Sequence, residues 1–349
     1  MPVVPTTRAP HVWAIESYRA GETTQILGLA EAIARRLGGT HETFGYAHKF
    51  RGGPLSLAMH IGTGGIEAVR PRPFAPPWPD LLISAGVRNE PVARWIRAAS
   101  NGRTRIVFLG RVWAPASAFD LVVVTPQYRF PPAANVLENE TTLHRVHPDR
   151  LAVERARWAS AFEASPSPRI LALVGGDSGP CALRAGTAAA LGTALRERAA
   201  ATGGSVLVST SSRTHADAVA GLDAALPDAF RYHYRAGDPG NPYFGMLAWA
   251  DEIVVTSDSI AMISEALAAN VPVALFDLAR GGDHTPKSRA YALLMRLGPE
   301  RLSRDIGIAH ARLRASGRIG LFGDPPVSPA ADDNAMARTL DRIEQLLNA

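Results

Sequence analysis

Short apolar runs alternate with helical patterns along almost the whole chain, and that alternation restricts the fold to parallel β-sheets with helices on their faces. In the first half the pattern predicts strands at His11–Ser17, His41–Tyr46, Asp80–Ser84, Arg105–Leu109 and Asp120–Thr125. Between them, Gln25–Leu37 carries Ile26, Leu29, Ala30, Ile33 and Leu37 at helical spacing, and Pro91 suits the first turn of a helix over Pro91–Ser100. The Gly- and Pro-rich stretch from His48 to Pro79 reads as a loop or insertion.

The pattern breaks at Pro126–Pro132 and again at Ser165-Pro166-Ser167-Pro168, after which a fresh series of units begins. It runs Arg169–Val174 strand, Ala182–Ala200 helix, Ser205–Thr210 strand, His215–Leu226 helix, Phe230–Tyr234 strand, Tyr243–Ala250 helix, Glu252–Thr256 strand, Ser259–Ala269 helix and Val271–Phe276 strand. The expectation is therefore two Rossmann-like doubly wound domains facing across a cleft, residues 1–164 and 165–330. A C-terminal helix over 331–349, with Met336, Leu340, Ile343 and Leu347 on one face, packs on the body. A length of 349 residues suits two such domains.

A hydrophobic fraction of 46% with 20% charged residues is that of an ordinary globular chain, which excludes collagen-like or long disordered classes. The single cysteine, Cys181, makes no internal disulfide, and no apolar leader or membrane-length stretch is visible, so a cytoplasmic protein is expected. The net charge of +5 is spread over scattered arginines. Without a basic run or an aromatic row, nucleic acid is not an expected partner.

In open parallel sheets ligands bind beyond the carboxyl ends of strands, so the residues after each strand carry the functional information. Gly175-Gly176-Asp177-Ser178-Gly179-Pro180 joins a strand to a long helix, and glycines there let backbone approach an anion. It is neither a G-x-G-x-x-G fingerprint nor a P-loop, since Val174 and the missing Lys break both, and a plain tight turn is the alternative. Ser209-Thr210-Ser211-Ser212-Arg213-Thr214 sets hydroxyls around one guanidinium, a set that holds a diphosphate or, more simply, caps the next helix through Ser212 or Thr214. Ser257, Asp258 and Ser259 open a helix that carries Glu265 on the same face, where a carboxylate accepts from ribose hydroxyls unless it is merely solvated. The rigid loop Asn241-Pro242-Tyr243 presents backbone groups to a nucleobase edge, or is only a loop. In the first half, Glu16 ends the first strand as a candidate general base or a structural carboxylate, and Arg88 follows the third strand. His144 and His147 lack a third ligand, so no metal site is expected, and Ser178 fails the nucleophile-elbow pattern because Pro180 stands where glycine is needed.

On those residues the chain resembles the mitochondrial-fission ELM (elongated mitochondria) family, many of whose bacterial members are catalogued as glycosyltransferases. The resemblance runs from about Val12 to Leu278 and is most specific at Leu207–Thr214, Asn241–Asp251 and Val254–Val273. The Ser257–Glu265 stretch is also similar to the donor-site helix of GT-B enzymes that use UDP-sugars, where the matching Glu holds the nucleotide ribose. Arg19-Ala20-Gly21-Glu22 departs from the family's usual first loop, which leaves acceptor and base unassigned. The resemblance implies a GT-B glycosyltransferase, and the Ala- and Arg-rich composition a bacterial one. It would act without metal or other cofactor on a nucleotide-diphosphate sugar and a glycan, lipid-linked or protein acceptor of the cell envelope, with peripheral contact at the inner membrane face. Gly176, Ser178, Gly179 and Arg213 then hold the diphosphate, Asn241–Tyr243 flank the base, and Glu265 binds the ribose. A nucleotide-sugar epimerase or hydrolase on the same fold, and a non-enzymatic scaffold, are the rival expectations.

Overall fold

The computed structural model describes residues 9–48, 63–281, 283–300, 303–328 and 334–348. The expected loop at 48–79 therefore lies partly outside the described residues.

The first sheet has six parallel strands in the order β2-β1-β3-β4-β5-β6. They are β1 (His11–Ile15), β2 (Thr40–Phe44), β3 (Leu81–Ala85), β4 (Arg105–Leu109), β5 (Leu121–Val124) and β6 (Val136–Glu138). β3 reads LLISA and is buried at every position, the mark of a central strand covered on both faces. One face packs against α1 (Ala20–Leu37) through Ile26, Leu29 and Ile33, and the other holds Trp13, Phe44, Phe108 and residues of α2 (Glu90–Ala99). α1 ends at Gly38, whose φ of 68° supplies the left-handed cap.

The second sheet is also six-stranded and parallel, in the order β12-β11-β10-β7-β8-β9. Its strands are β7 (Arg169–Val174), β8 (Ser205–Thr210), β9 (Phe230–Tyr232), β10 (Glu252–Thr256), β11 (Val273–Phe276) and β12 (Gly320–Leu321). Before it come α3 (Pro148–Arg157) and the short α4 (Ala159–Phe162). Around it lie α5 (Ala185–Thr202), α6 (Ala216–Ala225), α7 (Tyr243–Trp249), α8 (Ile260–Leu267), α9 (Pro286–Leu297) and α10 (Ile306–Ala315). Renumbered from β7, this is the 3-2-1-4-5-6 order of a dinucleotide-binding Rossmann sheet, and the first sheet follows the flavodoxin-like 2-1-3-4-5 order with one strand added. Each sheet thus has one switch point: β1/β3 in the first, β7/β10 in the second.

The division between the two compact units falls at Arg145/Val146 rather than at 164/165. Packing explains the difference. Trp158 lies so close to Gly245 that a Cβ there would approach its Cδ1 to 2.3 Å, and Trp249 Nε1 donates to the Arg155 carbonyl at 2.9 Å. α3 and α4 therefore belong with the second core, and the Pro-rich break at 165–168 is only the entry to β7. The last helix, α11 (Ala335–Asn348), closes the first unit: Leu340 and Ile343 join its core, and Asn139 Nδ2 donates to Thr339 Oγ1 at 3.0 Å. His147 caps α3 by accepting from the Arg150 amide at Nδ1, which gives that histidine a structural role.

Candidate functional site

The β7/β10 switch point brings together three of the loops singled out in the sequence. At its centre is Asp258, whose side chain is wholly buried. It accepts from the Gly176 amide at 3.0 Å, from Thr256 Oγ1 at 2.6 Å and from Arg213 Nη1 at 2.7 Å. Three donors, one of them a guanidinium, compensate the cost of burying that charge. The glycines are required by these approaches. A Cβ on Gly175 would stand 2.1 Å from Asp258 Oδ2, and one on Gly176 would stand 1.9 Å from the Arg213 carbonyl oxygen. The Gly176 amide is thus turned inward to Asp258, and this residue shapes the site without offering an open donor.

Arg213 is held from two sides. Its Nη1 also reaches the Asp177 carbonyl at 3.3 Å, and its amide donates to Ser211 Oγ at 3.2 Å. Nη2 and Nε take no partner among the described residues, and about a third of the side chain faces solvent. Thr214 ties the β8 loop to the end of β7 through a 2.5 Å bond from its hydroxyl to the Gly175 carbonyl, whereas Ser212 is exposed. Asp177 receives a bidentate pair from Arg184 at 2.7 and 2.8 Å, with His215 Nε2 at 3.2 Å. The Arg184 hydrogen bonds hold its carboxyl below the usual carboxylate range.

Ser178 Oγ accepts from Arg304, a residue no local motif marks, and the Arg304 amide donates to Tyr291 OH at 2.7 Å. Gly179 has φ +58° and faces the Tyr291 ring, so glycine is needed there for its conformation. Arg184, Arg213, Arg304 and His215 thus stand around the loop after β7, with Asp177 between Arg184 and His215 and Asp258 under Arg213.

On the other side of Asp258, Ser257 Oγ accepts from the Leu278 amide at 3.0 Å and Ser259 Oγ caps α8 from the Met262 amide at 3.4 Å. Each hydroxyl oxygen thus accepts from a backbone amide. Glu265 lies on the second turn of α8, 8% exposed, and its Oε2 accepts from Tyr243 OH at 2.5 Å. Burial first, and then the Glu265 charge, push the Tyr243 phenol well above its ordinary pKa, so it remains a donor. Asn241 Oδ1 accepts from the Tyr243 amide at 3.0 Å and Pro242 is buried beside them, so Asn241, Pro242, Tyr243 and Glu265 form one continuous wall. Glu16 belongs to the other unit. Its Oε2 lies where a Cβ on Gly45 would be 2.8 Å away, at a cavity of about 770 Å³ lined also by Tyr46, Glu67 and Arg70.

Two Rossmann-like doubly wound units in one chain give the domain content of the GT-B class. The chain belongs to the mitochondrial fission ELM1 family, whose profile matches residues 20–301. Mitochondrial fission protein ELM1 of Arabidopsis thaliana is 27% identical over 258 residues, which cover 67% of this chain and 59% of that protein. The chain thus spans about three fifths of the length of that curated relative. Among solved structures, UDP-GlcNAc 2-epimerase from Neisseria meningitidis, bound to UDP-GlcNAc, is 10% identical with TM-score 0.49 over 96% of this chain and 100% of that one. MurG of Acinetobacter baumannii is 13% identical with TM-score 0.44 over 96% and 92%. A UDP-glucosyltransferase from Polygonum tinctorium is 11% identical with TM-score 0.48 over 99% and 100%.

Proposed function

We propose that the chain is a glycosyltransferase that moves a sugar from a nucleotide-diphosphate sugar, UDP-sugars favoured, to a glycan, lipid-linked or protein acceptor in the cytoplasm. The observation that carries this reading is the arginine pair at the β7/β10 switch point: Arg213 fixed by buried Asp258, and Arg304 fixed at Ser178. A diphosphate gains negative charge as its bond to the sugar breaks. Guanidiniums already oriented by the protein stabilise that charge without reorganising, and this is the type of interaction that lowers the barrier. Ser178, Gly179, Ser212 and Arg213 meet the diphosphate, while Gly176 and Thr214 hold the loops that carry them.

Glu265 accepts from the ribose hydroxyls beside the Tyr243 phenol, and Asn241–Tyr243 flank the base. The resemblance of Ser257–Glu265 to the donor helix of UDP-sugar enzymes supports that assignment and the preference for UDP. Glu16, which follows β1 in the first unit, is the base for the acceptor hydroxyl in this reading. Because the arginines supply the positive charge, this reading needs no divalent metal.

The test is calorimetric titration of UDP, GDP, CDP, ADP, TDP and CMP, in EDTA and in Mg²⁺, on the wild type and Glu265→Gln. The expected result is selective binding of one diphosphate in EDTA, weakened about tenfold or more by the substitution, as for a lost charge-assisted hydrogen bond of ~1.5–3 kcal/mol. Absence of binding by every nucleotide would refute the reading. Consumption of a UDP-sugar with no acceptor present would replace transfer by epimerisation or hydrolysis.

A further inference from the structure

The first sheet has its own switch point, between β1 and β3, and the residues there are not used by the donor site. Gly86, with φ +81°, follows β3 and brings its loop against the loop after β1. A Cβ on Gly86 would stand 2.7 Å from Glu22 Oε2 and 2.9 Å from Ser17 Oγ. Asn89 fastens the two loops, its Nδ2 donating to the Glu16 carbonyl at 2.9 Å and to Ser84 Oγ at 3.0 Å, while Tyr46 OH donates to its Oδ1 at 2.7 Å. Over this base stands Tyr18, 45% exposed, with the Arg88 guanidinium 4.5 Å and the Arg19 guanidinium 5.1 Å from its ring centroid.

The charges here do not balance. Glu22 pairs with Arg19 at 3.1 Å and accepts from Ser17 Oγ at 2.5 Å, whereas Arg88 has no carboxylate partner among the described residues. Two guanidiniums against one ring, with a single carboxylate between them, leave one positive charge uncompensated. The same field is felt nearby: burial and the Arg88 charge together hold the His48 imidazole below its ordinary pKa. α1 begins at Ala20 beside this group, and its N-cap residue, Arg19, offers no side-chain acceptor to the first amides.

We infer that Arg88, Arg19 and Tyr18 form an anion site at the β1/β3 switch point that takes a phosphate group of the acceptor substrate. The word acceptor rests on the transferase reading; the anion site does not. Arg88 supplies a paired set of donors to the phosphate oxygens, Arg19 a second charge, and the Tyr18 ring orients Arg88 and provides a face for the group bearing the phosphate. A lipid diphosphate and a sugar phosphate present the same oxyanion, so the site itself accepts either.

The experiment titrates the full chain with inorganic phosphate, glucose 1-phosphate and farnesyl diphosphate, with acetate as the carboxylate control, in the presence of saturating UDP. Wild type, Arg88→Met, Arg88→Lys and Arg213→Gln are compared. The expected result is phosphate binding that survives Arg213→Gln and falls about tenfold or more in Arg88→Met, with a smaller loss in Arg88→Lys. UDP binding stays unchanged in both Arg88 variants. Tighter binding of farnesyl diphosphate than of glucose 1-phosphate assigns a lipid-linked acceptor, and the reverse order a soluble one. Phosphate binding that vanishes in Arg213→Gln but persists in Arg88→Met would overturn the proposal, as would absence of phosphate binding or equal affinity for acetate. Arg88-dependent phosphate binding in a protein that binds no nucleotide would leave the anion site standing and remove the transferase reading.

Discussion

At the scale of single residues, the chemistry of the second unit depends on how buried charges are satisfied. Asp258 is wholly buried and Arg213 is its only cationic hydrogen-bonding partner among the described residues. Arg213→Met should destabilise the chain by about 2–3 kcal/mol, below the range for a fully buried pair because the outer edge of Arg213 is in water. The double variant Arg213→Met/Asp258→Asn should recover part of that loss in urea unfolding, and additive losses would show that the pair is not coupled. His310 makes a second case. Burial pushes its imidazole below the ordinary pKa, only partly offset by Asp277 and Asp258, and its buried Nε2 has no hydrogen-bond partner among the described residues. An unfolded histidine binds its proton near pH 6.5, while the folded one resists it until lower pH. The stability linked to a neutral His310 is therefore present above about pH 6.5 and lost as pH falls below it. His310→Leu should flatten the decline of the urea midpoint between pH 7.5 and 5.5, and an unchanged slope would refute the assignment. Neither role was legible in the sequence. Asp258 reads as one of three polar residues that open a helix and His310 carries no signal, because both roles depend on partners brought in from other strands and helices.

At the scale of elements, the central strands were legible because burial on both faces leaves uninterrupted apolar runs. β7, β8 and β10 occupy Arg169–Val174, Ser205–Thr210 and Glu252–Thr256, the bounds their apolar runs predict. Two of the edge strands were not: β6 and β12 span three and two residues, too few for any periodicity to show. α5 starts at Ala185 and not at 182, because Ser178 and Cys181 exchange backbone hydrogen bonds and Asp177 holds Arg184, which delays the first helical turn. The Gly175-Gly176 pair does stand at the end of β7, where its place after a strand puts it, but the reason for glycine is a different one. Glycine there suggests close approach to a ligand; in the structure it permits close approach to Asp258 and to the Arg213 backbone. Gly175→Ala would place a methyl group 2.1 Å from Asp258 Oδ2, so the loop must move. The expected loss is about 1–3 kcal/mol, as for overpacking of a well-filled core, with weakened nucleotide binding in the same variant. Unchanged urea stability would show that the loop has room the structure does not reveal.

At the scale of the whole molecule, the sequence predicted two doubly wound sheets but not where the chain passes from one core to the other. The Pro-rich break at 165–168 dominates any local reading, yet α3 and α4 precede it and still pack with α7. Conversely, the last helix returns to the first core across the entire second unit, a contact no local signal encodes beyond an apolar stripe. This connection predicts how stability is partitioned. Ile343 is fully buried in the core that also holds Leu29, Ile33, Ile83 and Val107. Ile343→Ala should cost about 2–5 kcal/mol, the range for removing a buried branched side chain. That cost falls on the first unit, because no residue of β7, β8 or β10 belongs to this cluster. In native-state hydrogen exchange the amides of β1, β3 and β4 should lose protection while those of β7, β8 and β10 keep theirs. Equal loss in both sheets would mean that the two units unfold as one, and that a substitution in the last helix reaches the arginines of the second unit's site through global stability.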